Sequence, residues 1–159
     1  MRVCECITIS APPDQVWDAV SDPERVLSFM SGVTRWEVVS PQPTGLGARY
    51  RVLFRVGSAE IGGLIEVVEW APGHELAWTS VTGIDQRGRW RLRDRGVQGT
   101  RVEIRLAYGV AGSGLAGWIA ERIAAPAVGS HLRRSLRQLK RMVEYEQLRE
   151  QAVASTRSG

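Results

Sequence analysis

Residues 128–143 read VGSHLRRSLRQLKRMV. Val128, Leu132, Leu136, Leu139 and Val143 follow one another at intervals of four, four, three and four. At 3.6 residues per turn that spacing draws a single apolar stripe along a helix. Arg133, Arg134, Arg137, Lys140, Arg141 and Glu144 fall between the stripe positions and belong in water. Burying such a stripe stabilises a helix more than intrinsic propensity does, so the helix must lie on a partner surface. The helical run extends from Leu115 to about Arg149. Pro126 is expected to kink or break it after its first third, because proline lacks the N–H and its ring meets the preceding turn.

The partner surface is read from what precedes. Arg2 to Ser10 alternates Val3, Glu5, Ile7 and Ile9 with Cys4, Cys6 and Thr8, which is a strand. Ala11-Pro12-Pro13-Asp14 stops it. A proline suits the first helical position, and Asp14 complements the helix dipole, so Val16, Trp17 and Val20 mark a short helix. Ser21-Asp22-Pro23-Glu24 restarts a second, with Asp22 as cap and Val26, Leu27, Phe29 and Met30 as its apolar face; Gly32 ends it. Strands are then expected at 33–40, 48–56, 59–70, 75–81, 85–94 and 100–110, separated by turns rich in Gly, Pro and Ser. Gly62 and Gly63 inside one strand predict a bulge that bends the sheet. Apolar residues alternate with Arg and Glu, so the sheet has one dry and one wet face. The domain is read as 1–150, with 151–159 a disordered tail.

The 159 residues fit one domain with a real core, and the apolar (43%) and charged (24%) fractions are those of a globular chain. Six Trp in so short a chain hint at a pocket. The net charge of +4 makes acidic partners possible. Met1-Arg2-Val3-Cys4-Glu5 is no signal peptide, and the most apolar window, 110–128, is interrupted by Glu121, Arg122 and Pro126, so a cytoplasmic chain is expected. Cys4 and Cys6 share a strand face without a nearby His or further Cys, which makes no zinc site; half-buried small strand residues are the reading. The loop Pro41 to Gly47 lacks the Lys-Ser/Thr and following helix of a phosphate cradle.

The order of elements, and the phrases Ala11-Pro12-Pro13-Asp14-Gln15-Val16-Trp17, Ser21-Asp22-Pro23-Glu24-Arg25, Gly45-Leu46-Gly47-Ala48-Arg49-Tyr50, Leu76-Ala77-Trp78-Thr79-Ser80 and Gly99-Thr100-Arg101-Val102, resemble the START-like or SRPBCC superfamily over residues 2 to about 146. The branch most resembled is the polyketide cyclase/dehydrase and lipid-transport family. The resemblance implies an α+β helix-grip (Bet v 1-like) fold: a curved antiparallel sheet of six or seven strands around a long C-terminal helix, with two short helices after the first strand. It also implies an apolar cavity between sheet and helix that holds a hydrophobic or amphipathic small molecule. It does not imply one reaction, since fold is a poor guide to chemistry.

The candidate cavity lining is Phe29, Met30, Trp36, Tyr50, Phe54, Trp78, Trp90, Tyr108, Trp118 and Ile119, aromatic or apolar groups on strand faces and helix ends. Residues 15–30 and 111–123 are expected to gate it. No catalytic residue, metal ligand or cofactor site is assigned. His74 reads as a solvated turn residue and His131 as a surface residue on the flank of the stripe. Asp85, Asp94 and Glu103 are the carboxylates weighed for acid–base work, and Glu103 should face water. A binder or carrier of a lipid, polyketide or isoprenoid is favoured. A cyclase or dehydrase is the alternative, and it needs Asp85, Asp94, Glu66, Glu69 or His131 at the cavity wall. A protein-binding adaptor with a vestigial cavity is the third reading. The Arg-rich strand faces read as ion-paired and solvated, and the basic helix face as able to meet an anionic membrane. Without a stacking motif or recognition helix, no nucleic-acid partner is expected. The oligomeric state is not legible.

Overall fold

The alternation read in the first strand is the rule that builds the molecule. In β1 (Arg2–Ile9) residues 3, 5, 7 and 9 turn inward while 2, 4, 6 and 8 are exposed, and Ile9 is fully buried. The computed structural model describes the backbone of residues 1–109 and 115–159, with the side chains in those ranges apart from Val56 and residues 115–125. After β1 come α1 (Pro13–Val20), the single turn α2 (Val26–Phe29), β2 (Val33–Val38), β3 (Arg49–Val56), β4 (Ala59–Ala71), β5 (Glu75–Ser80), β6 (Gln86–Asp94), β7 (Thr100–Tyr108) and α3 (Leu115–Arg157). The seven strands form one antiparallel sheet in the order β1-β7-β6-β5-β4-β3-β2. Successive strands from β2 to β7 are neighbours, and β1 closes onto β7 with Ile7 opposite Val102. The helices α1 and α2 carry the chain from one sheet edge to the other. This is the helix-grip architecture that the sequence predicts.

The stripe of α3 meets the concave face of the sheet. Val128, Leu132, Leu136, Leu139 and Val143 are all buried and pack in one core with Ile9, Leu92, Val102 and Ile104. Leu139 and Val143 are wholly inaccessible, and burying a side chain of this kind is worth about 1.5–3 kcal/mol. Thr100, also fully buried, donates its hydroxyl proton to the Ala11 carbonyl (2.7 Å), which satisfies the bend between β1 and α1. The outer face carries the predicted ion pairs. Arg89 bridges Glu69 (2.7 Å) and Glu75, Arg91 joins Glu75 (3.1 Å), Arg49 meets Glu66 (3.3 Å), and Glu103 accepts from Arg105 (2.6 Å).

Several local expectations are corrected. Gly62 and Gly63 do not make a bulge: pairing with β3 runs unbroken through Leu53–Gly62 and Val52–Gly63. The register shifts lie instead between Val67 and Glu69 against β5, and between Val33 and Arg35 against β3. The glycines are needed because backbone passes too close for a side chain. A Cβ on Gly63 would sit 2.1 Å from the Thr82 carbonyl oxygen, where the 81–84 turn folds over β4. Asp22 caps a turn, accepting the Glu24 N–H (2.9 Å), and the second helix begins only at Val26. Pro126 lies inside α3 without ending it. Residues 151–157, read as tail, continue α3 with their side chains exposed, since helical hydrogen bonding needs no partner surface once the preceding turns are fixed. Cys4 and Cys6 are exposed on the outer face of an edge strand, not half-buried.

Candidate functional site

Between the sheet and α3 the core leaves a cavity of about 140 Å³. Each wall comes from a different element. The α2–β2 corner supplies Met30, Val33 and Trp36; β3 and β4 supply Val52, Phe54, Ile61 and Ile65; β5 supplies Trp78; β7 supplies Ile104, Leu106 and Tyr108; α3 supplies Val128 and Leu132. Gly62, Ile84 and Gln86 complete the described lining. A smaller void of about 30 Å³ adjoins it through Met30, Trp36, Ile65 and Trp78, and reaches Tyr50 and Trp90. That is room for about one or two waters.

The local chemistry explains the shape. Trp78 stands opposite Gly88 in the β5–β6 pairing, and its indole occupies the place a side chain at 88 would take: a Cβ there would lie 1.9 Å from the ring. Gly88 thus lets a large aromatic lie flat against the next strand. Trp36 and Tyr50 face each other across β2 and β3 with ring centroids 5.3 Å apart. Tyr50 donates its hydroxyl proton to the Pro43 carbonyl (2.6 Å), anchoring the loop before β3. Burial, helped by the negative charge of Asp22, pushes the Tyr50 hydroxyl up to about 12, so it stays a neutral donor. The Trp36 indole N–H is buried and finds no acceptor among the described residues.

Of the residues named from sequence, Met30, Trp36, Phe54, Trp78 and Tyr108 line the main cavity, while Tyr50 and Trp90 line the small void with Met30, Trp36 and Trp78. Phe29 lines neither; it is buried and packs edge-on against Trp90, centroids 6.2 Å apart. The side chains of Trp118 and Ile119, and the 111–123 half of the expected gate, lie outside the described residues. Trp17 and Trp70 serve the core by packing edge-on with each other at 5.1 Å. Sequence reasoning missed the aliphatic wall of Val33, Val52, Ile61, Ile65, Ile84, Ile104 and Leu106. Alternation placed most of these inward but could not separate cavity from filled core. It also missed Gln86, which sits at the inward-facing end of β6.

The ionisable groups sit elsewhere. Glu66, Glu69 and Glu103 are engaged in the outer-face ion pairs described above. Asp85 accepts from the Ser80 hydroxyl (3.4 Å), and Asp94 accepts the Gly96 N–H (2.8 Å). His131 is not the surface residue expected. It is half-buried, its Nδ1 lies 2.9 Å from the Ser31 hydroxyl, and its ring meets cavity-lining Phe54 edge-on with centroids 5.3 Å apart. Ser135, fully buried one turn later, accepts the Ser31 N–H (2.8 Å) and donates to the His131 carbonyl (2.8 Å). These bonds tie the α2–β2 corner to α3. Burial, and then the Arg134 charge, hold His131 below its ordinary value, so it is neutral near pH 7. Gly32 fits between Phe54 and His131 with positive φ (86°); a Cβ there would come within 2.9 Å of the Phe54 ring.

On the basic face of α3, Arg133 pairs with Glu5 (2.7 Å) and Lys140 with Glu144 (2.6 Å), while Arg134, Arg137 and Arg141 are exposed. Among the described residues no cluster of His, Cys, Asp and Glu is placed to hold a metal ion, and no helix is long and apolar enough to cross a membrane.

Comparison with known proteins agrees with this geometry. Three solved structures illustrate the likeness in fold. A protein of Thermus thermophilus superposes with a TM-score of 0.78 at 23% identity, covering 90% of this chain and 97% of its own. The Zhui aromatase/cyclase of Streptomyces sp. R1128 gives 0.76 at 16% identity, covering 91% and 93%. The di-domain ARO/CYC BexL of the BE-7585A biosynthetic pathway gives 0.66 at 19% identity, covering 91% of this chain and 46% of its own. No curated protein matches the sequence. Residues 2–144 match the family described as polyketide cyclase/dehydrase and lipid transport, and with nearly the whole chain inside that match the protein belongs to this family.

Proposed function

We propose that this protein binds a hydrophobic small molecule in the cavity between the sheet and α3, as a binder or carrier of a lipid, polyketide or isoprenoid type of ligand. One observation carries the reading: among the described residues the lining contains no Asp, Glu, His, Lys or Arg, and its one amide side chain is Gln86. A concave, apolar site with few polar groups suits an apolar ligand. The volume of about 140 Å³ is close to that of an engineered apolar cavity, about 150 Å³, that binds benzene. That volume therefore matches one ring, and a longer ligand needs more room than the described cavity offers. Membrane contact is part of the same proposal: the exposed Arg134, Arg137 and Arg141 of α3 form the face that would meet anionic headgroups, each adding about 1 kcal/mol.

A cyclase or dehydrase is the second reading. It draws on the family description and on the aromatase/cyclase neighbours. Within this chain its best candidate is His131, which packs against a lining residue without itself lining the cavity.

The test is native mass spectrometry of the protein purified from its own host, with an organic extract of the denatured protein run in parallel. A hydrophobic molecule co-purifying near one per chain is the expected result. A clean protein that also takes up neither fluorescent fatty acids nor aromatic dyes would refute the binding reading and favour the adaptor.

A further inference from the structure

The corner between α2 and β2 brings a hydroxyl and an imidazole together. Ser31 and His131 are 100 positions apart in the chain, yet the Ser31 hydroxyl lies 2.9 Å from His131 Nδ1. That is the hydrogen-bond reach required of a nucleophile and its general base. Both residues are half-buried, neither sealed from solvent nor fully open to it. Three neighbours fix the pair. The fully buried Ser135 hydroxyl accepts the Ser31 N–H (2.8 Å), which holds the Ser31 backbone against α3. Phe54 packs edge-on against the imidazole and limits its rotation. Gly32 lacks the side chain that would stand 3.0 Å from Nδ1, which leaves space beside the pair. The imidazole is neutral near pH 7, with Arg134 of α3 the charged group acting on it, so Nδ1 accepts a proton in the tautomer that carries its hydrogen on Nε2.

Acyl transfer also needs a donor for the oxygen that gains charge. The N–H of the residue after the nucleophile often supplies it. Here that residue is Gly32, whose N–H makes no hydrogen bond among the described residues. The Ser31 N–H is already taken by Ser135, and no carboxylate bonds to His131 among the described residues. The site thus has one such donor and no third member behind the base. A missing oxyanion donor costs about 10²–10³ in rate, so only a substrate with a good leaving group should react.

We propose that Ser31 and His131 form a nucleophile–base pair for acyl transfer from activated carboxylic esters, those whose leaving group is a phenol or a thiol. A lone pair of Ser31 Oγ bonds to the acyl carbon while the hydroxyl proton passes to His131 Nδ1. The bond from that carbon to the leaving oxygen or sulfur breaks, and the leaving group takes the proton from Nδ1. Water then repeats the exchange. Its oxygen bonds to the acyl carbon, its proton passes through Nδ1 to the departing Ser31 Oγ, and the carboxylic acid is released. This activity is separate from ligand binding in the cavity, whose described lining includes neither residue.

The probe is p-nitrophenyl acetate. The wild-type protein should release nitrophenol in a burst approaching one per chain, and peptide fragmentation should place the acetyl group on Ser31. The acylation rate should rise with pH and level off once His131 has lost its proton, with a midpoint below 6.5. An exposed amine would instead go on gaining rate towards its own value of about 10. Ser31→Ala should lose the burst, and His131→Gln should slow it about 10²-fold. An acetyl group found only on other residues of the wild-type protein, or on none, overturns the proposal, and this readout does not depend on either variant folding. A burst that His131→Gln leaves unchanged, or a rate that keeps climbing well above pH 7, overturns the role of His131 as base.

Discussion

If the space beneath α3 is a cavity and not a filled core, an added ring should fit into it. Val128 is buried on α3 and lines the cavity, so Val128→Phe directs about four extra carbons into it. An unfilled volume of about 140 Å³, at ~24 cal/mol per Å³, represents about 3 kcal/mol of forgone stability. Four carbons at ~0.8 kcal/mol each bring a similar gain. Repacking strain subtracts ~1–3 kcal/mol. The net expectation lies between no change and a gain of about 2 kcal/mol, or a rise in Tm of up to about 4–8 °C for a chain of this length. Calorimetric melting of the two proteins, with dye uptake measured alongside, checks it. Uptake should be lost while the fold is kept or strengthened. In a filled core the same substitution would be overpacking, and Tm would drop by several degrees. A lower Tm together with unchanged uptake would refute the reasoning.

Two further predictions concern the supports of the site. Gly88→Ala places a Cβ where the Trp78 indole lies, 1.9 Å from the ring, so the indole must swing toward the cavity. A loss of about 1–3 kcal/mol and weaker dye uptake are expected, and unaltered tryptophan emission with unaltered stability would show that the ring did not move. The pH dependence follows from His131, whose value in the folded protein is held below 6.5 by burial and by Arg134. The unfolded chain then binds more protons at and below pH 6.5, so the stabilisation is complete above 6.5 and is lost as pH falls through the lower folded value. Urea midpoints between pH 7.5 and 5, compared with those of His131→Gln, isolate this group, because Glu103 and Glu144 lie below the ordinary carboxylate value of 4.5 and titrate beneath that range. Equal acid sensitivity in both proteins would remove His131 from the account.

The parts of this protein that were legible in its sequence are those governed by repetition. The stripe from Val128 to Val143 and the alternation in β1, β6 and β7 repeat one choice many times, and burial follows them. Features that depend on a meeting between distant segments were not legible. His131 reads as a surface residue because Ser31, which holds it, is 100 positions away. Gly62 and Gly63 read as a bulge because glycine has several uses in a strand, and the turn that presses on Gly63 lies about twenty residues on. The unpartnered N–H of Trp36 leaves no trace in sequence, since it is defined by what three-dimensional packing fails to supply. Aromatic residues marked the neighbourhood of the cavity, but its aliphatic wall looked like any strand interior.

The position of β1 sets the timing of assembly. It is the first strand to be synthesised, yet its partner is the last: Arg2 faces Ala107, and the N-terminal ammonium donates to the Tyr108 carbonyl (2.7 Å). At about 5–20 residues per second, the first strand leaves the ribosome some 5–20 s before the strand it needs. During that interval it offers an open edge on both sides, bearing two exposed cysteines. The β2–β7 meander can form one hairpin at a time, while the final closure spans nearly the whole folded chain and carries its loop-closure entropy into the slowest step. The face of β1 that packs against the α3 stripe therefore takes its place only when the first and last strands of the chain, β1 and β7, have met.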